Sequence, residues 1–165
     1  MNLTLSAPQP LAPTHLLNDF ECVEHTLDDW LKRRAMSNQL SGASRTFVVL
    51  DESERVWGYY AMAAGAISHQ LATSAIRRNM PDPVPVMVLG RLAVDRRAQV
   101  IKVGAAMLQD AVKRALVVSQ NTGVRALLVH ALNDRAKQFY EHYGFQESPQ
   151  HTMNLMLRLN SYAIS

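Results

Sequence analysis

The stretch 86–107, VMVLGRLAVDRRAQVIKVGAAM, decides the fold. Val86, Met87, Val88 and Leu89 form a short apolar run, and Leu92, Ala93 and Val94 prolong it past Gly90 and Arg91, the pattern of a central strand with a local irregularity. Asp95 ends the run. Arg96, Arg97 and Gln99 follow, and from about Lys102 the apolar positions Val103, Met107, Ala111, Ala115 and Val118 recur at steps of three and four, which is helical spacing. The order strand, basic loop, helix builds an anion site, because the first N–H groups of a helix lack internal partners and carry the positive end of its dipole.

Downstream, Val124–Ala131 (VRALLVHA) reads as a buried strand. Asn133 and Asp134 then supply helix N-cap chemistry, Ala136, Phe139, Tyr140 and Tyr143 fall at helical spacing, and Gly144 stops the helix. Taken alone, Phe139-Tyr140 is an aromatic core pair at a helix end and Asn133 is a cap. Upstream, a Pro-rich lead precedes helices over 16–40, with Thr26 as N-cap, Asp28 and Asp29 in the positive first turn, and Lys32, Arg33 and Arg34 in the later, negative turns. Arg45–Leu50 and Val56–Ala66, joined by Asp51-Glu52-Ser53-Glu54, predict an antiparallel hairpin. Leu71–Pro83 reads as a basic loop or short helix. Thr152–Leu159 alternates, with Met153, Leu155, Leu157 and Leu159 on one face, and is expected to close the sheet as its last strand. The whole is an α/β sandwich.

At 165 residues, 48% hydrophobic and 19% charged, the chain has material for one core and too little length for two ordinary domains, so 1–165 is expected to be a single domain. No apolar run approaches 18 residues and the N-terminus lacks signal-peptide features, which points to the cytoplasm and no membrane association. The lone Cys22 permits no internal disulfide and has no ligand-spaced neighbours, so no metal site is expected and the thiol reads as a small buried apolar group. The net charge of +3 is modest for a nucleic-acid binder. The basic residues nevertheless cluster, as Lys32-Arg33-Arg34, Arg77-Arg78 and Arg96-Arg97, with Arg45, Lys102 and Arg135 besides.

The two core stretches resemble the GNAT N-acetyltransferases. That family's phosphate loop reads Arg/Gln-x-x-Gly-x-Gly/Ala, and Gln99 and Gly104 match its ends, while Lys102 stands at the central glycine and Val100 where a glycine is also common. Its fifth strand is followed by Asn-x-x-Ala-x-x-Phe-Tyr-x-x-x-Gly-Phe, matched by Asn133, Ala136, Phe139, Tyr140, Gly144 and Phe145. Further likeness over nearly the whole chain, in Phe20-x-Cys22, Leu27-Asp28-x-Trp30-Leu31, Arg45–Val48, Gly58-Tyr59-Tyr60, Arg77–Val86 and Leu89–Asp95, is to the TacT-like GNAT toxins of type II toxin–antitoxin modules.

The resemblance implies a mixed six- to seven-stranded sheet with splayed strands 4 and 5 and helices on both faces. It implies an enzyme that uses acetyl-CoA to acetylate the α-amino group of aminoacyl-tRNA and so inhibits translation. A cognate ribbon-helix-helix antitoxin would neutralise it, the complex binding operator DNA, and relatives are often homodimers. By the same resemblance Leu92, Ala93 and Val94 hold the pantetheine arm and polarise the thioester, and Gln99, Val100, Ile101, Lys102, Val103, Gly104 and Ala105 wrap the pyrophosphate. Asn133 and Phe139 complete the cofactor site, and Tyr140 is the acid that protonates the leaving thiolate.

Charge, with the resemblance placing the Arg77-Arg78 loop close to the acceptor side of the site, points to Arg77, Arg78, Arg91, Lys32, Arg33 and Arg34 as tRNA contacts. Arg91 has the alternative of internal pairing. An α-amino group, with a pKa of about 7.7–8.0, is partly neutral near pH 7 and needs no strong general base, and a phenol is only slightly mismatched to a thiolate. Two other functions stay open: acetylation of a small amine or protein N-terminus, and a cofactor-weak module kept for antitoxin or DNA binding. Val100 and Lys102 are the ground for the second of these, since Lys102 either obstructs the pyrophosphate or replaces lost backbone contacts with a charge-assisted bond.

Overall fold

In the computed structural model, which describes residues 3–159, the chain forms β1 Gln9–Pro10, α1 His25–Arg33, α2 Ala35–Ser41, β2 Arg45–Leu50, β3 Val56–Ile67, α3 Ser74–Arg77, β4 Val84–Val94, a 3-10 helix Arg96–Ile101, α4 Val103–Asn121, β5 Ala126–His130, α5 Asp134–His142, β6 Gln146–Glu147 and β7 Asn154–Arg158. The strands hydrogen-bond in the order β1-β2-β3-β4-β5-β7-β6, a mixed seven-stranded sheet. No helix among the described residues is long and apolar enough to cross a membrane. The chain divides into two units, Met1–Ala63 with Arg91–Ala111, and Ala64–Gly90 with Val112–Ser165.

In the first unit the hairpin forms as its sequence predicts. β2 pairs antiparallel with β3 from Arg45↔Met62 to Leu50↔Val56, and the turn is tied by Asp51, whose carboxylate accepts from the N–H groups of Ser53 and Arg55 and from Trp57 Nε1. The Pro-rich lead adds β1, which pairs antiparallel with β2 over two residues. Alternation along β3 gives the unit two faces. Tyr59 turns toward α1 and α2, into a core with Phe20, Cys22, Leu31, Ala35, Val48 and Ala93. Gly58 turns the other way, onto α4, where an added Cβ would stand 3.0 Å from Met107 Sδ and 3.1 Å from Val103 Cγ1, so only glycine lets the helix approach this closely.

One expectation for the N-terminal helices is corrected. Thr26 is not the N-cap: α1 already begins at His25, because Glu24 O accepts from the N–H groups of Leu27 and Asp28. Asp28 lies in the first turn as expected and has a further role. It is buried and accepts from Cys22 N–H at 2.9 Å, which folds the preceding chain onto the helix. Cys22 is buried as read, its Sγ donates to Glu24 O, and burial pushes the thiol up to about 12.

In the second unit β4 pairs parallel with β5 from Val86↔Ala126 to Leu89↔Val129, and β5 pairs antiparallel with β7. The predicted central strand is present but starts two residues earlier, at Val84. The segment before it does contain a short helix, α3, whose last carbonyls are capped by Arg125: its guanidinium donates to the carbonyls of Ile76 at 3.1 Å, Ala75 at 3.4 Å and Arg78 at 3.2 Å. The final strand departs from its alternating pattern. Leu155, Met156 and Leu157 are all buried, because the face opposite Leu155 and Leu157 is covered too: Met156 packs into a core with Ile76, Val84, Val86 and Ala126.

Candidate active site

The loop after β4 carries a left-handed turn where its sequence departs most from the family pattern. Lys102, at the position of the central glycine, has φ +60° and ψ +29° and joins the 3-10 helix to α4. The backbone therefore keeps the conformation a glycine would supply, with a lysine in it. A Cβ in that region costs roughly 1–2 kcal/mol, which the surrounding structure must offset. The opening turn of α4 follows at once. A helix leaves the N–H groups of its first turn without intrahelical acceptors, here those of Val103, Gly104 and Ala105, and Ala106 N–H is the first to donate back, to Lys102 O at 3.2 Å. Beside them, the exposed Lys102 and Ile101 line a cleft of about 400 Å³ with Val103, Ala106, Val49 and, from the N-terminal segment, Leu3 and residues 5–8. The side chain of Val100 falls outside the described residues.

The basic character of the loop is largely spent internally. Asp95, fully buried, accepts from Arg97 Nε at 2.9 Å, Arg97 Nη2 at 3.1 Å, Arg97 N–H at 3.0 Å and Glu21 N–H at 3.1 Å. Burial alone would raise this carboxyl, but the bonds from Arg97 and from the Glu21 backbone outweigh it and hold it below the ordinary range. The Arg97 guanidinium also lies 4.5 Å from the Trp57 ring centroid, and Arg96 pairs with Glu21 at 3.4 Å. Arg96 and Arg97, read from sequence as a basic cluster, thus fasten the loop. So does Gln99, whose Nε2 donates to Val94 O at 3.1 Å and Cys22 O at 3.4 Å. What the loop presents outward is backbone and Lys102.

The end of β4 is prepared in a similar way. Asp95 N–H donates to Trp57 O of β3 at 2.8 Å, so by the two-residue alternation the N–H and C=O groups of Leu92 and Val94 face away from β3. The pairing of β4 with β5 stops at Leu89. Ala93 is buried in the α1/α2 core, and Arg91, on the same face, stacks its guanidinium 4.3 Å from the Trp30 ring centroid. Lys32, Arg33 and Arg34, at the end of α1, are exposed.

In the second unit Asn133 caps α5, its Oδ1 accepting from Ala136 N–H at 2.8 Å, and Gly144 at φ +94° ends the helix as read. Phe139 and Phe145 hold the Tyr140 ring between centroids 5.3 and 5.5 Å away. Tyr140 is buried, its hydroxyl has no hydrogen-bond partner among the described residues, and burial pushes the phenol up to about 12. Arg77 and Arg78 are exposed at the end of α3, and Arg77 Nη1 donates to His69 O at 3.2 Å. Two residues that shape the site were not singled out from sequence: Asp95, whose Asp-x-Arg spacing allows the carboxylate to cap the loop and grip the arginine, and Trp30, which no local pattern connects to Arg91.

The chain matches the acetyltransferase (GNAT) domain over residues 13–163. It is 45% identical, over 92% of its length and 91% of the relative's, to a protein of Mycobacterium tuberculosis named tRNA-acetylating toxin. Two solved structures share its fold. One is AtaT complexed with acetyl-methionyl-tRNAfMet, at TM-score 0.86 and 24% identity, covering 97% of this chain and 96% of that one. The other is a mutant of the toxin AtaT bound to the C-terminus of the antitoxin AtaR and acetyl-CoA, at TM-score 0.80 and 25% identity, covering 96% and 94%.

Proposed function

Because the chain belongs to the GNAT acetyltransferase family, we propose that it transfers the acetyl group of acetyl-CoA to the α-amino group of aminoacyl-tRNA and acts as a toxin that a cognate antitoxin silences. The observation that carries this reading is the 45% identity, over nearly the full length of both chains, to the relative named for that activity. We take 1–165 as one catalytic domain, since the family match runs through both units. The site of action is the cytoplasm, where charged tRNA is found. A ribbon-helix-helix antitoxin, operator DNA bound by the toxin–antitoxin complex, and a homodimeric toxin belong to the same proposal.

The roles follow from the chemistry each group can perform. Backbone N–H groups of Val103, Gly104 and Ala105 receive the pyrophosphate, with Lys102 adding a charge-assisted bond. Gln99, Val100 and Ile101 form the loop that presents them. The outward backbone of Leu92 and Val94, with Ala93 between them, holds the pantetheine arm. Asn133 keeps its Nδ2 for that arm while Oδ1 serves the cap, and Phe139 walls the site beside Tyr140. Acetyl-CoA supplies a thioester whose sulfur must leave protonated. Tyr140 delivers that proton: its hydroxyl has no competing acceptor among the described residues, and the dry surroundings that raise the phenol raise a thiol alongside it, so the two stay matched. Arg77, Arg78, Arg91, Lys32, Arg33 and Arg34 meet the phosphates of tRNA.

Against the cofactor-weak alternative, the left-handed backbone at Lys102, the conformation a glycine there would supply, supports a loop that still receives a pyrophosphate. Lys102→Gly is expected to raise the unfolding free energy by about 0.5–1 kcal/mol by relieving that residue. It is expected to weaken acetyl-CoA about threefold to tenfold in calorimetry, the worth of a charge-assisted bond of about 1.5–3 kcal/mol less the side chain's entropy. Tighter binding would mean that the lysine obstructs the loop.

The function is tested by incubating the purified protein and labelled acetyl-CoA with aminoacyl-tRNA, deacylated tRNA, free amino acids and peptides with free N-termini. Label in the aminoacyl-tRNA fraction, at least a hundredfold more efficiently than in free amino acids, is the expected result. Preference for the small amines or the peptides would overturn it.

A further inference from the structure

We propose that Arg91 is the contact for a backbone phosphate near the 3′ end of the acceptor, and that Trp30 is the positioning residue that holds its guanidinium ready. This rests on the reading of the acceptor as aminoacyl-tRNA. The starting observation is a contrast among the arginines. Arg55 pairs with Asp19, Arg96 with Glu21 and Arg97 with Asp95, while Arg45, Arg77 and Arg125 donate to backbone carbonyls. Arg91 is partly exposed and, among the described residues, has no carboxylate or carbonyl accepting from its guanidinium. It is nevertheless held in place, stacked 4.3 Å from the centroid of Trp30. Trp30 is in turn fixed by Tyr59, whose ring lies parallel to it within 12° at 5.9 Å and whose hydroxyl donates to Leu27 O at 2.6 Å, one turn earlier on the same helix.

A stacked guanidinium uses its face and keeps its edge. Five N–H donors in a planar fork remain, the shape that matches phosphate bidentately, and the loss of rotamer freedom on binding has already been met by the stack. The two faces of the sheet then decide which substrate carries the anion. Lys102 and the opening turn of α4 belong to the face that Gly58 presents, where the cofactor's pyrophosphate is assigned. Arg91 belongs to the face of Tyr59 and Ala93, under α1 and α2. A sheet and its side chains lie between them, so the anion at Arg91 comes from the other substrate, and in a charged tRNA the nearest anions to the reacting amine are the phosphodiesters of the 3′ strand. Lys32 and Arg33, in the last turn of α1 beyond Trp30, extend positive charge along the same helix.

The experiment compares two acceptors with the same amine, an aminoacyl-tRNA and a 3′-aminoacyl-adenosine, which lacks phosphates. The readout is the ratio of their kcat/KM values, which a general loss of folded enzyme leaves unchanged. Arg91→Ala is expected to lower the ratio about tenfold or more, through KM for the tRNA, and to reduce the slope of log KM against log salt by about 0.7. Arg91→Lys, with charge but no fork, restores part of it. Trp30→Ala lowers it about threefold to tenfold while Trp30→Phe, which keeps a ring to stack on, retains most of it. An unchanged ratio in Arg91→Ala, with the wild type active on charged tRNA, would overturn this inference alone. Equal ratios in Trp30→Ala and the wild type would remove Trp30 from the role. A wild type inert toward charged tRNA would overturn the functional reading and this inference with it.

Discussion

Tyr140→Phe is expected to lower kcat about 10²- to 10⁴-fold, the usual worth of a positioned acid, and to leave thermal stability within about 1 kcal/mol. The separation of the two effects follows from the surroundings of the ring. Phe139 and Phe145 hold it by its faces and edge, contacts that phenylalanine reproduces, and among the described residues the hydroxyl makes no hydrogen bond whose loss the fold would register. The pH profile of the unmodified enzyme carries the same information. With its phenol pushed up to about 12 by burial, Tyr140 stays protonated through neutral and mildly alkaline pH. The rate therefore rises as the acceptor amine loses its proton, near its free value of about 7.7–8.0, and then stays level to about pH 10. A falling limb below pH 9 would show that another group is the acid. Stability has its own signature: a pKa raised on folding contributes fully below the unfolded value of about 10 and is lost as pH climbs through about 12, and Tyr140→Phe removes that loss.

Asp95→Asn is expected to cost about 3 kcal/mol of stability and at least tenfold in acetyl-CoA affinity. The carboxylate is fully buried and is gripped by two guanidinium nitrogens and two backbone N–H groups. Removing one partner of a buried pair leaves the other uncompensated, at about 3–5 kcal/mol, and the lower end applies because the Arg97 side chain is 44% exposed. The loss in affinity follows from what the carboxylate joins: the end of β4, the 3-10 helix of the phosphate loop and the chain at Glu21 all meet on it. The sign of the pH effect is fixed by its lowered pKa. Its contribution is complete above the unfolded value of about 3.9 and disappears as pH falls through the folded one, so the wild type and Asp95→Asn should converge in stability toward low pH. Denaturant titrations at neutral and acidic pH measure both effects. An unchanged acetyl-CoA affinity in a destabilised Asp95→Asn would show that the loop keeps its form without this anchor.

The strands and helices were legible because their signals are local. The apolar run of β4, the steps of three and four in α4 and the Asn133 to Gly144 signature of α5 each lie within one element, and all appear where the sequence puts them, within a few residues at their ends. The short edge strands β1 and β6, two residues each, carry no period to detect, and the segment 152–159 read as a strand with one buried face because nothing in its sequence says that Met156 will pack against Ile76 and Val86. The partners of charged groups were the least legible of all. Arg96 and Arg97 read as a basic cluster in a phosphate loop, yet they answer to Asp95, Trp57 and Glu21, and Glu21 and Trp57 are remote in sequence.

By itself the sequence determined the α/β class and the order of central strand, loop and long helix, and its resemblance to a family singled out the tyrosine proposed as the acid and the glycine position that Lys102 occupies. Tertiary structure decided what the charges do. It showed that Lys102 adopts the left-handed backbone rather than breaking the loop, that the loop arginines are fasteners, and that Arg91 is stacked on a tryptophan with no ion-pair partner among the described residues. The physical reason is range. Hydrophobic periodicity and capping act between residues a few positions apart and are written into any short window, whereas a salt bridge, a ring stack or a positive φ held by its surroundings depends on which distant segments the fold brings together.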